Sequence, residues 1–434
     1  MSRESGGGSS SRRRFLAGAA AVGAAAVAGC SGLPFGGDGE RSGSAVSLPS
    51  DAVGSVDWPA SPFPAAVPGS LADAHESRTR SLLDDVPAEP EVPNAEMAAE
   101  IGADRERARK RTDSEVAADW PVDALSAWRR RRRDAAAVRG AYRAATGVDD
   151  GADLAARRSA VRDARAALAS EVEYRAESPV AAALAYEPVE LLLAECERHV
   201  RPEVTYPADP VAEPFRAGEA TARVERAEAA ADDAEGLRSA YLDGRDGPPA
   251  RWASLIAVAD GLRASVSRTR STVRERAGGD EPLRGEDLSG TVAQELVATG
   301  DLRTESAVED IERAVDAGNC ATAVVGSGVA LTEIDAFRAA VDEIRDGEHR
   351  GGATEASVRA AAERARTSVE EAVAGDDPLA TRLVRPGLDG FEYVADRVEE
   401  GYSSARRTQA TLEYVALYAG AVPAASEFVR ERLA

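Results

Sequence analysis

Lysine is almost absent from this 434-residue chain: Lys110 is the only one among 53 basic residues. Histidine, cysteine and methionine are nearly as scarce, and aromatics make up 5%. Each scarcity excludes something. The histidines, His75, His199 and His349, have no H-x-x-x-H or similar spacing, so no motif supplies the three or four ligands that a zinc site needs. His199 follows Cys196 by three residues and shares a helix face with it, but no third ligand is evident, and no metal is expected. The only asparagines, Asn94 and Asn319, do not begin an N-x-Ser/Thr acceptor. Alternating runs of β-branched residues are missing, which argues against a sheet. There is no G-x-S-x-G, no P-loop and no G-x-G-x-x-G following a strand, so no cofactor is implied.

What is present is acid, alanine and arginine. The formal charge is −22 and becomes more negative once residues 1–29 are set aside. Such a surface disfavours nucleic acid, which needs cations to neutralise its phosphates. High acid, little lysine and much alanine resemble haloarchaeal proteomes. A carboxylate-rich surface stays hydrated in strong salt and repels itself in weak salt, so the charge reads as an adaptation to solvent. Pairs such as Asp84-Asp85, Glu370-Glu371 and Glu399-Glu400 then read as solvated faces.

The N-terminus carries the clearest motif. Arg12, Arg13 and Arg14 precede an apolar run from Phe15 to Gly29, which ends in small residues before Cys30. Basic, apolar, small is the order of an export signal, and the run is shorter than the ~20 residues of a membrane span. Ser11-Arg12-Arg13-Arg14-Phe15-Leu16 resembles the core of twin-arginine signals. Val27-Ala28-Gly29-Cys30 resembles a lipobox, in which the cysteine becomes the lipid-modified mature N-terminus. Together they are similar to twin-arginine-exported haloarchaeal lipoproteins. The resemblance implies export of a folded chain and attachment through Cys30 to the outer face of the cell membrane. It implies nothing about the body, and Ala17 stands where a basic residue is usual.

Residues 30–69 are rich in Gly, Ser and Pro and read as a flexible tether, with Trp58-Pro59 and Phe63-Pro64 able to clip its end onto the body. From Ser70 onward the spacing predicts helices, near 70–86, 94–117, 121–146, 151–177, 179–201, 215–243, 249–277, 286–317, 320–346, 353–375 and 387–432. Pro423 is expected to kink or divide the last. Narrow 3–4 seams, such as Trp252-Leu255-Ala259-Leu262-Val266 and Phe391-Val394-Val398, predict an all-α, elongated, up-and-down bundle with coiled-coil-like seams, as one body or two lobes. The prolines of 202–214 mark a joint between an N-terminal lobe, 70–201, and a C-terminal lobe, 215–434; Gly244 to Pro249 is a second candidate. Cys196 and Cys320 are either buried core thiols or a disulfide. Gly326-Ser327-Gly328 reads as a bend or a close helix crossing rather than a nucleophile.

The sharpest feature of the body is Arg129 to Arg133, five consecutive arginines. On a helix they point all round, and Arg132 falls on the apolar stripe of Leu125, Trp128 and Ala135. A buried guanidinium needs an acid, for which Glu187, Glu190 and Glu195 are candidates. One reading is an internal salt-bridge network. The other is an anion-binding cleft built on Arg129, Arg132 and Arg133, with Arg105, Arg107, Arg109, Lys110 and Arg111 in the same basic area. Long seams, few aromatics and no catalytic constellation point to a non-catalytic interaction or scaffold module with an envelope protein as partner. The alternative is an extracytoplasmic ligand-binding or sensory module using the arginines. A helical hydrolase ranks third. A solute-binding lipoprotein of two α/β lobes would require strand patterns that are missing.

Overall fold

The computed structural model describes residues 48–149, 151–201, 205–279, 283, 286–402 and 404–434; the export signal, Arg12, Arg13, Phe15, Leu16 and Cys30 lie outside them. The described chain is all-α. Its only β feature is an isolated bridge between Arg175 and Ala250. The chain divides into two compact units, Phe63–Trp252 and Ala253–Ala434, the second also including the segment that ends at Pro62.

The first unit holds α1 (Gly69–Asp84), α2 (Ala95–Asp113), α3 (Pro121–Ala145), α4 (Ala152–Glu171), α5 (Pro179–Val200) and α6 (Pro214–Leu242). Local chemistry sets the helix starts. The Asn94 side chain accepts from the Glu96 and Met97 amides, and Ser178 caps α5, satisfying amides that a helix end leaves open. Proline opens α3, α5 and α6, where its missing N–H costs nothing. The unit is built on α3 against α6, and α5 and α1 pack on this pair. Alanine and glycine make the closeness possible. A Cβ on Gly140 would lie 3.0 Å from Gly218 Cα, and one on Gly218 would press into the Ala137 carbonyl oxygen. Around the crossing, Ala135, Ala136, Ala217, Ala220 and Ala222 are fully buried.

The Pro-rich stretch is therefore not a joint between lobes. Helices α5 and α6 on its two sides pack against each other inside one unit; Pro207 is buried and Pro214 opens α6. The boundary falls instead at Trp252, just beyond Gly244 to Pro249. That turn is itself clasped to the 174–177 strand-like segment: the Ala176 amide donates to the Pro249 carbonyl at 3.1 Å, and the Arg251 amide to the Tyr174 carbonyl at 3.1 Å.

The second unit holds α7 (Trp252–Ala277, less its first residue), α8 (Val292–Asp316), α9 (Cys320–Arg345), α10 (Glu355–Ala372), α11 (Pro378–Leu383), α12 (Arg385–Glu399) and α13 (Ala405–Leu433). Thr354 and Ser357 form a capping box before α10, and Asp377 caps α11. The long helix expected over 387–432 is two helices. The first ends at Glu399, just before Gly401 with φ +75°, and α13 starts at Ala405 and runs through Pro423 unbroken. Helices α8, α9 and α13 form the core. By length and composition α9 could cross a membrane, but most of its apolar stretch is buried within the fold.

The end of the expected tether is packed rather than free. Ala52, Val53 and Val56 are buried. Arg366 of α10 donates to the Val53 and Ser55 carbonyls, each at 3.0 Å, and Arg359 pairs with Asp51 at 3.2 Å. Trp58 Nε1 donates to Glu392 Oε1 at 2.5 Å. Phe63 is buried as well, and the Pro64 carbonyl accepts from Arg245 at 3.0 Å. Both aromatics of the stretch thus serve as clips, and the residues from Leu48 onward belong to the folded units.

Candidate functional site

Of the five arginines of α3, Arg129, Arg132 and Arg133 reach acids of α6, whereas Arg131 turns to the end of α2. Arg129 and Arg132 are buried and the other three half-buried. Helix α6 is enclosed on several sides, so it buries Glu225 and Asp233 along with its alanines. Eight residues separate these two acids, which returns them to one helix face. Arg129 reaches Asp233 at 2.5 Å and Glu195 at 3.3 Å. Arg132 Nε donates to Glu225 Oε1 at 2.8 Å, and Nη1 lies 3.3 Å from Asp232. Arg133 pairs with Glu219 at 2.9 Å. Arg131 donates to the Ser114 carbonyl at 2.8 Å and lies over the Trp128 ring.

Glu225 is the hub. Besides Arg132 it accepts two bonds from Arg78 of α1, at 2.7 and 3.0 Å, and one from Arg157 of α4 at 2.6 Å. One fully buried carboxylate thus joins three helices to α6. Burial alone would raise its pKa, but the hydrogen bond from Arg78 and the charges of Arg132 and Arg157 outweigh that and hold it at about 2. Asp233 has a second partner in His75, whose Nε2 lies 2.8 Å from Oδ1. Glu195 also accepts from Arg226 at 2.6 Å.

These pairs replace the anion cleft expected at Arg129, Arg132 and Arg133, because their guanidinium groups are occupied by protein carboxylates. Of the expected acids Glu195 takes part, pairing with Arg129 and Arg226. Glu190 accepts from the Tyr174 hydroxyl at 2.6 Å. The basic area on α2 is paired off too: Arg105 donates to the Val86 carbonyl at 2.7 Å, Arg109 faces Asp84 at 3.6 Å, Lys110 faces Glu106 at 3.5 Å, Arg107 pairs with Asp104, and Arg111 with Asp134.

The other candidates are structural. Cys196 and Cys320 are buried and neither is in a disulfide, so the expected bridge is not formed. Burial pushes the Cys196 thiol up to about 11, which removes thiolate reactivity. Burial and the neighbouring Arg226 bring His199 down to about 4, leaving it neutral at pH 7. Among the described residues no group of three His, Cys, Asp or Glu side chains is placed to hold a metal. Ser327 is buried in mid-α9 and bonds the Ala323 carbonyl at 2.7 Å, while Gly328 gives room to Leu383, so the small-residue stretch is a helix crossing. In the same unit Glu333 is buried, accepts from the Tyr414 hydroxyl at 2.6 Å and has its pKa raised by that burial.

Fold and site together define an all-helical protein of two units, the first braced by a buried arginine–carboxylate network. Its residues 70–247 are similar to the family described as Domain of unknown function (DUF8262), and residues 252–431 to that described as Domain of unknown function (DUF8264). No curated protein and no solved structure matches the chain.

Proposed function

We propose that this protein is a lipid-anchored, extracytoplasmic, non-catalytic interaction or scaffold module of the cell envelope. The observation that carries the reading is the use of buried charge in the first unit. The arginines and carboxylates brought together there engage one another as braces between α1, α3, α4, α5 and α6. Such a network favours one arrangement of helices over others, which suits a rigid presenting surface. The residues Ser11 to Cys30 support the location, through their resemblance to a twin-arginine signal with a lipobox.

The test is crosslinking in intact cells at native high salt, followed by capture of the protein and mass spectrometry. One abundant envelope protein, recovered in proportion to the bait, is the expected result. Absence of any partner above background would contradict the scaffold reading and favour a ligand-binding module.

A further inference from the structure

Two turns beyond the buried run, α3 carries two more arginines in a different setting. Arg139 and Arg143, four residues apart, share one face of the helix. With Arg78 of α1 and Arg157 of α4 they line an open cleft of about 220 Å³. Both also line an adjoining cleft of about 440 Å³. We infer that this four-arginine cleft is a binding site for a phosphate-type oxyanion, a phosphomonoester or inorganic phosphate.

Preorganisation is the first argument. Arg78 and Arg157 are fixed from behind by Glu225, which takes the Nε and Nη2 of Arg78 and the Nη2 of Arg157. Glu228 takes the Nε of Arg157 at 2.8 Å. In both residues Nη1 is left out of these pairs, on guanidinium planes whose positions are already set. Ordering cost is thereby reduced before any ligand arrives.

Availability is the second. Arg139 uses Nε on Asp85, whose side chain is half exposed, at 2.6 Å. Arg143 has Asp149 at 3.8 Å, beyond hydrogen-bond reach, and is one-third exposed. The forked donors of these two are the ones a tetrahedral oxyanion would engage, and arginine matches that geometry in pairs of parallel bonds. Asp149 and Asp153 also line the cleft beside the four arginines, and Glu225, Glu228 and Asp85 pair with three of those arginines, so the outward Nη donors rather than net charge make the site. Asp149 is partly committed, since its Oδ1 accepts from the Gly151 amide at 2.9 Å.

The test is calorimetric titration of the full chain, purified in detergent at fixed KCl. The probes are inorganic phosphate, short-chain phosphatidic acid and short-chain phosphatidylcholine. Saturable binding of phosphate, weakened about tenfold or more by Arg143→Gln and by Arg139→Gln and unchanged by Arg111→Gln, supports a site for the free anion. Phosphatidic acid binding with the same variant pattern, where phosphate and phosphatidylcholine give none, supports a lipid headgroup as the source. No saturable binding of either phosphate probe overturns the proposal, as does an equal loss in Arg111→Gln. Circular dichroism of each variant checks that helicity is retained.

Discussion

Glu225→Gln should cost the first unit about 3–5 kcal/mol, the penalty for leaving buried charge without its partner. The substitution keeps the shape of the side chain and removes the one charge that Arg78, Arg132 and Arg157 share. Arg132 suffers most, because its side chain is only 10% exposed while those of Arg78 and Arg157 are 39% and 28%. Thermal or denaturant unfolding measures the loss, which corresponds to about 10 °C or more for a unit of this size. Arg80→Gln is the contrast. Arg80 pairs with Glu76 and Asp113 on open surface, and such pairs contribute roughly 0–1 kcal/mol. A Glu225→Gln effect no larger than that of Arg80→Gln would mean that the network does not brace the fold.

The pH dependence follows from the same residue. Its pKa in the folded protein is depressed to about 2 from the usual 4.5. The unfolded chain therefore takes up the proton first as pH falls, so the contribution of Glu225 is fully present above about 4.5 and is lost as pH drops toward 2. The acid limb of the wild-type stability curve should flatten over that window in Glu225→Gln.

Gly218→Ala should destabilise, and Gly261→Ala should not, although both glycines sit in helix interiors. Alanine is the better helix former by about 1 kcal/mol, and at Gly261 in α7 an added Cβ meets nothing within 4 Å, so the gain is kept. At Gly218 the same methyl runs into the Ala137 carbonyl and lies 3.0 Å from the Ala141 amide nitrogen. These are backbone atoms of α3, so relief requires the two helices to separate along their whole contact. Overpacking of this kind costs about 1–3 kcal/mol and more where the backbone must move; Gly218→Val should exceed Gly218→Ala. Matched denaturation curves decide it. Stabilisation by Gly218→Ala would show that α3 and α6 do not approach as closely as described.

The helices were legible because their signals are local. Periodic alanine and leucine, Asn94, Ser178 and Thr354 at starts, and prolines at Pro121, Pro179 and Pro214 mark most segments, whereas the short α11 behind Asp377 falls in a gap between the expected helices. That Arg132 would be buried, and would need an acid, also followed from the apolar stripe around it. Which acid did not. Glu225, Asp232 and Asp233 lie 93 to 104 residues downstream of their arginines, on α6, and no local pattern says that α3 passes over α4 and α5 to reach it. The same gap explains the misplaced joint. Four prolines look like a linker whether the helices they separate drift apart or fold back together, and only the packing of α5 on α6 distinguishes the two. Residues 48–62 read as tether because their composition is that of a linker, while what holds them is Arg359, Arg366 and Glu392, more than 300 positions away.

We propose that the helical body is carried outside the cell on a lipid attached to Cys30. Fractionating cells that make the wild type or Cys30→Ser into cytosol, membrane and medium tests it most directly. The wild type should be found in the membrane and accessible from outside, with Cys30→Ser exported and released into the medium. Retention of both in the membrane, or of both in the cytosol, would contradict anchoring through Cys30.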